Sequence, residues 1–311
     1  MTGRLNNESG FALILTLVIT ALMVAIVVEM IHQVYVDTTI SRGFRDGQQA
    51  SILAESGVMA VKQALSQNID PALLSSFLAK PLSDDVGSLE IKISDESGKI
   101  NINGLVNGLG EYDELIKNTL LRLTTPLKLQ GDSWSSVLAS VADWIDKDDA
   151  PRSGGAETPF YRALKPAYSA HNGSLMMLQE LSLVKGITPA LLDGLVDGKA
   201  KLRLRDCLTI YSNQAINVLN VNSAPKALLM ALDTTIGESV ANRIIETRPF
   251  KNEGEFSKVT ELYNVANGTW RGRLKATSNL FRITAVARVK ESVRTVEAML
   301  SDGKLLSWQE Y

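Results

Sequence analysis

Four aspartates, Asp143, Asp146, Asp148 and Asp149, fall within seven residues of the stretch VADWIDKDDAPRSGGAETPFY, and Glu157 follows eleven residues after Asp146. Carboxylates this close repel one another unless a cation neutralises them. Hard oxygen donors massed on a loop rich in proline and glycine suit Ca²⁺ better than Zn²⁺. With Asp146 taken as position 1 of a calcium loop, Asp148 falls at position 3 and Glu157 at position 12. Ala150 at position 5 and Pro151 at position 6 break that register, so the segment is no EF-hand. The expected metal ligands are Asp146, Asp148, Asp149 and Glu157, with Ca²⁺ as the cofactor. The competing reading is a solvated acidic loop whose charge is offset by Lys147 and Arg152.

Catalytic chemistry has little to stand on. The two histidines are His32, at the end of a long apolar run, and His171, in the loop SAHNGS with Ser169 and Ser174 close by in sequence. A nucleophile needs a base that a third group holds in space, and sequence proximity along a loop does not supply one. The glycines of NINGLVNGLGEYDEL lack the Lys-Ser/Thr that a phosphate loop requires. The one cysteine, Cys207, cannot form an internal disulfide. A net charge of −2 with mixed signs offers no basic field for nucleic acid. The chain is therefore not expected to be an enzyme.

The elements that must carry the acidic loop begin with NNESGFALILTLVITALMVAIVV. From Phe11 to Val28 no residue is charged, and about 20 such residues cross a bilayer. Glu29 follows Val28 with no Ala-x-Ala, so no signal-peptidase site follows the apolar core. Arg4 places the N-terminus in the cytoplasm and the chain beyond Val36 outside the inner membrane. Ala50, Ala54, Gly57, Val61 and Ala64 continue a helical pattern with one narrow apolar face. Gly43 and Gly47 predict a break in that helix, and Asp70-Pro71 a stop or restart.

Alternation in SLEIKISDESGKINING predicts a hairpin over 89–102. A second β block is predicted over 280–310, turning at Glu291-Ser292 and again at Asp302-Gly303. Between the two lies a mostly helical pattern. Within it, LSLVKGITPALLDGL overlays MALDTTIGESVANRI with Ile187 on Ile236, like two helix-hairpin-helix (SAM-like) units. Asn222 or Ser223 is expected to cap a helix that has Pro225 in its first turn. The economical fold is α+β: a helix-plus-sheet head with a large helical insertion.

A short polar leader, Gly10-Phe11, and then an unbroken apolar helix resembles the type IV pilin-like precursors. That resemblance implies cleavage after Gly10 by a prepilin peptidase and methylation of Phe11. Most pilins have Glu at the fifth mature position; here it is Leu15. Together with ADWIDKDDAPRSGGAE and LNVNSAPKALL, these features resemble the minor pseudopilin K family of the type II secretion system. The resemblance implies a pilin-like head over 37–103 and 275–311, behind a leader (1–10) and a membrane helix (11–36). It also implies a calcium-binding helical insertion over 104–274, in two SAM-like units over 104–206 and 213–274. Its implied place is the tip of the periplasmic pseudopilus, with minor pseudopilins I and J, other pseudopilins and the inner membrane as partners. The missing Glu fits a subunit with nothing above it. Two other functions compete: a competence-type pseudopilin whose hairpin helices touch DNA, and a signal-anchored periplasmic hydrolase built around His171.

Overall fold

The computed structural model describes residues 8–67, 69–83, 85–127, 133–193, 195–196, 199–200, 202–212 and 216–311. Residues 1–7 of the expected leader lie outside the described residues. The first element, α1, runs from Glu8 to Ser66. Its 59 residues reach about 88 Å at 1.5 Å each. The break expected at Gly43 and Gly47 does not occur. A glycine inside a helix costs only about 1 kcal/mol relative to alanine, and no proline lies in the segment to remove a backbone donor. Among the described residues, α1 is the one helix long and apolar enough to cross a membrane, and its apolar window is wholly unburied. It stops before Asp70-Pro71, and the chain restarts as α2 (Pro71–Phe77).

Strands β1 (Leu82–Ser83), β2 (Ser88–Asp95) and β3 (Ile100–Asn101) come next. Helices α3 (Glu114–Thr124), α4 (Trp134–Ile145), α5 (Thr158–Arg162) and α6 (Pro189–Leu192) follow. Then come β4 (Leu195–Val196), β5 (Lys199–Ala200), α7 (Leu204–Cys207), β6 (Leu208–Thr209) and β7 (Leu219–Asn220). Helices α8 (Lys226–Leu232), α9 (Glu238–Thr247) and α10 (Thr260–Asn267) and strand β8 (Leu274–Lys275) lead to the last strands. These are β9 (Leu280–Val289), β10 (Ser292–Ser301) and β11 (Lys304–Glu310). One sheet has the order β1-β2-β9-β10-β11.

The chain divides into two compact units, residues 1–92, 283–298 and 308–311 in the first, and 93–282 and 299–307 in the second. In the first unit α1 buries the narrow face Ala50, Ala54, Gly57, Val58 and Val61. Gly57 is needed there, because a Cβ would come 3.0 Å from the side chains of both Leu89 and Ile91 on β2. Lys290 Nζ holds the Asp46 carboxylate at 2.9 Å, and the Arg294 guanidinium lies 3.3 Å from where a Cβ of Gly47 would stand. The β9–β10 turn falls on Lys290-Glu291, with Lys290 at φ +52°, one residue earlier than expected. The Asp302-Gly303 turn is where the sequence placed it; both residues have positive φ, +49° and +74°, as a tight hairpin turn demands.

In the second unit the hairpin expected over 89–102 is not formed. The Asp95 side chain accepts the Ser97 N–H and opens a 3-10 turn, Glu96–Gly98. The chain then leaves the sheet, and β3 pairs in parallel with β6 instead. The alternation was real, but the turn residues cap a 3-10 turn rather than fold the strand back. The helices share a core that includes Trp270, Tyr161, Phe250 and Phe256. Arg122 of α3 closes the end of α8, donating to Ala231 O at 2.6 Å and Leu232 O at 2.7 Å. Helices α8 and α9 are a helix–turn–helix; the other expected copy is a 3-10 turn, Leu178–Leu183, and the four-residue α6. Asn222 does not cap α8. Its amide instead bridges Phe250 and Ala276 carbonyls, both at 2.8 Å.

Candidate metal centre

Helix α4 delivers the first two carboxylates. Ser133 caps it by accepting the Ser136 N–H at 3.2 Å. Its apolar face, Val137, Leu138, Val141, Ala142, Trp144 and Ile145, is buried. Asp143, in the last turn, is fully buried, and Asp146, three residues on, ends the helix as its C-cap. A three-residue step keeps both on one side of the helix. The loop then returns through Gly154, at φ +82°, and Gly155. A Cβ on Gly155 would come 2.0 Å from Asp143 Oδ2, so only glycine lets the loop pass this close to the carboxylate. Glu157 stands at the N-cap position of α5, yet makes no capping hydrogen bond.

Asp143, Asp146 and Glu157 can each present an oxygen so that all three lie within 4.8 Å of one another. Arg152 lies against this cluster. Its Nη1 donates to Asp143 Oδ1 at 2.6 Å and also to Asp146 Oδ2, and its Nη2 donates to Gly110 O. Three oxygens are nevertheless buried without a hydrogen-bond donor: Asp146 Oδ1, Glu157 Oε1 and Glu157 Oε2. Burial, reinforced by the neighbouring aspartates, pushes the Glu157 carboxyl up to about 8. Burial also raises Asp143, against the opposing pull of Arg152. Burial works to lower the Arg152 guanidinium, but the two aspartates outweigh it and hold it above its ordinary value. On the apolar side, the Trp144 and Tyr161 rings meet edge to face at 5.0 Å.

Of the expected ligands, the structure brings Asp146 and Glu157 together and leaves Asp148 and Asp149 exposed. Asp148 Oδ1 accepts the Ala150 N–H at 2.8 Å, and Asp149 Oδ1 accepts from Asn172 Nδ2 at 3.3 Å. Asp143, left out of the expected ligand set, is the residue that lies with Asp146 and Glu157 in the buried cluster. Its signal was the three-residue step to Asp146 on a helix, which a loop register overlooks. The donor set passes the test of fit for a hard cation: it is all oxygen, and three of its buried oxygens have no other partner.

His171 Nδ1 contacts Glu180 Oε2 at 2.9 Å, while the other Glu180 oxygen receives the N–H groups of Met176 and Met177. Among the described residues, no hydrogen bond joins His171 to Ser169 or Ser174. Gly10 and Phe11 lie near the start of α1, Phe11 with 69% of its surface exposed.

These elements define a class: a mixed helix-and-sheet chain with an N-terminal apolar helix, an antiparallel sheet and a helical region between its early and late strands. Residues 98–196 and 219–281, together just over half of the chain, match two models that are both described as type II secretion system protein K. The chain belongs to the type II secretion system protein K family. It is 25% identical to type II secretion system protein K of Aeromonas hydrophila, covering 96% of this chain and 94% of that one. The protein K of Pseudomonas aeruginosa is 26% identical over 81% of this chain and 77% of its own length. Among solved structures, a chain in the GspK–GspI–GspJ complex from enterotoxigenic Escherichia coli superposes with a TM-score of 0.68. That match covers 87% of this chain and 99% of the other at 18% identity, so it speaks for the fold.

Proposed function

We propose that this chain is a minor pseudopilin that caps the tip of the periplasmic pseudopilus and supports protein export across the outer membrane. Membership of the protein K family carries the reading. The leader through Gly10 is removed by the prepilin peptidase, and the new N-terminal Phe11 is methylated. The apolar half of α1 holds the chain in the inner membrane with its start in the cytoplasm and the globular part in the periplasm. From there α1 packs beside the helices of minor pseudopilins I and J and of the other pseudopilins. The solved relative's assembly with GspI and GspJ supports that choice of partners. At the fifth mature position Leu15 offers no carboxylate for a subunit above to pair with, which suits a cap. The role is structural and not enzymatic, and no nucleic acid is involved.

The second part of the proposal is a Ca²⁺ ion held by Asp143, Asp146 and Glu157. Bound there, calcium supplies the positive charge that three buried carboxylates and one arginine leave short. The residues themselves fix the end of α4 and the start of α5 on either side of it. Co-purification with minor pseudopilins I and J from membranes of the native host tests the assembly. Deletion of the gene should stop export of secreted proteins to the medium, and the wild-type gene should restore it. Export that continues undiminished in the deletion strain sinks the proposal.

A further inference from the structure

We infer that Arg152 is a positioning residue of the metal centre: its guanidinium takes one oxygen from each aspartate, fixes both carboxylates, and leaves Asp146 Oδ1 without a donor and open to the ion. The inference rests on the calcium reading above. At Asp146 the division is plain, since Oδ2 receives Arg152 Nη1 while Oδ1 is buried and has no donor. At Asp143 the guanidinium takes Oδ1 at 2.6 Å, and the Arg152 backbone N–H lies 3.2 Å from Oδ2. One residue thus grips Asp143 from both its side chain and its backbone.

The guanidinium is itself held on its far side. Nη2 donates to Gly110 O, and the group lies 5.1 Å from the Tyr112 ring centroid. Gly110, at φ +80°, brings its carbonyl into a loop closed by the Asn107 side chain, which accepts the N–H groups of Leu109 and Glu111. A planar group with forked donors can hold two carboxylates and a carbonyl at fixed angles; an ammonium cannot. Glu157 has no such donor on either oxygen. The centre therefore combines two oriented aspartates with one glutamate whose two oxygens are uncommitted. Outer groups that orient ligands in this way change metal affinity by about 10- to 100-fold when removed.

The opposite role is also physically definite. An arginine that competed with the ion for the same oxygens would weaken binding, and its removal would tighten it. Calcium titration calorimetry on the purified full chain in detergent separates the two. Wild type, Arg152→Gln and Arg152→Lys are titrated with Ca²⁺, and each is also melted in chelator. The expected result is binding weaker by about 10- to 100-fold in Arg152→Gln, with Arg152→Lys in between because it keeps the charge and loses the fork. An unchanged or tighter affinity in Arg152→Gln overturns the inference, even where its melting point in chelator has dropped. If Arg152→Gln does not fold, Arg152→Lys carries the test, and wild-type affinity in that variant overturns it. A wild-type chain that takes up no calcium ends the calcium reading itself, and this inference with it.

Discussion

Glu96 and Glu157 are both almost wholly buried and differ in what faces them. Glu96 Oε1 receives Lys99 Nζ at 2.6 Å and Arg282 Nε at 3.0 Å. Burial works to raise the Glu96 carboxyl, but the hydrogen bond from Arg282 and the Lys99 charge outweigh it and hold it below its ordinary value. A carboxyl depressed in the folded state contributes stability that is complete above the unfolded value, about 4.3. That stability is lost as the pH falls through the folded value. Glu96→Gln should therefore cost about 2–3 kcal/mol at pH 7, and its gap from wild type should shrink as the pH drops below about 4. Urea unfolding across that range reads it, and a gap constant with pH would show that the ion pairs contribute nothing. Glu157 has no cation of its own, so burial disfavours its charged form in the absence of an ion. Glu157→Gln should melt in chelator at or above the wild-type temperature and lose the rise that calcium gives. At 100 times Kd that rise corresponds to about 2.7 kcal/mol in wild type. A variant that melts lower than wild type in chelator, and still gains from calcium, refutes Glu157 as a ligand. The massing of carboxylates and the role of Glu157 as a candidate were legible in the sequence. The burial of Asp143 beside Asp146 and Glu157, with Asp148 and Asp149 left exposed, was not, because it depends on which side of the end of α4 is buried.

At the scale of elements, the sequence was most readable where one face alone is buried. Strand β9 keeps Phe281, Ile283, Ala285, Ala287 and Val289 inside, as its alternation requires, and Asp302-Gly303 makes the turn between β10 and β11. The stretch from Leu89 to Ile102 alternates equally well and still does not pair with itself. Alternation says that a strand has a buried face but not which strand lies beside it. The partner was decided by Asp95 and Glu96, whose side chains are committed to the turn and to the half-buried cations Lys99 and Arg282. Gly47 was read with Gly43 as a break, whereas its use is the room it leaves; Gly57 was read as part of the narrow apolar face, and it lies there. At Gly57 that room is filled by Leu89 and Ile91, so Gly57→Val should overpack the contact between α1 and β2 by about 1–3 kcal/mol. Gly43→Val in the same helix meets nothing within 4 Å and serves as the matched control. Denaturant midpoints of the two variants in detergent decide it. Equal midpoints would show that α1 does not seat on the sheet through Gly57.

For the whole molecule, the telling fact is that α1 keeps its first half bare. Phe11, Leu13, Ile14, Leu17, Leu22 and Met23 are all more than 60% exposed, while Ala50 and Ala54 in the same helix are fully buried. Apolar area left in water costs about 25 cal/mol per Å², so that half needs lipid or other apolar helices around it. Either environment satisfies a plain membrane anchor equally well. What separates an anchor from an assembly helix is the peptide bond after Gly10, and the two predict different masses. If this is a processed pseudopilin, the chain extracted from membranes of its native host begins at Phe11 and carries one added methyl group on its N-terminal peptide. Gly10→Val should block that cut, leave the full-length chain in the membrane and reduce export, while His171→Ala leaves export unchanged. A chain that still starts at Met1 in cells with an active prepilin peptidase would remove cleavage from the mechanism. The bare helix would then be an anchor only, and its path into a filament would need another cause.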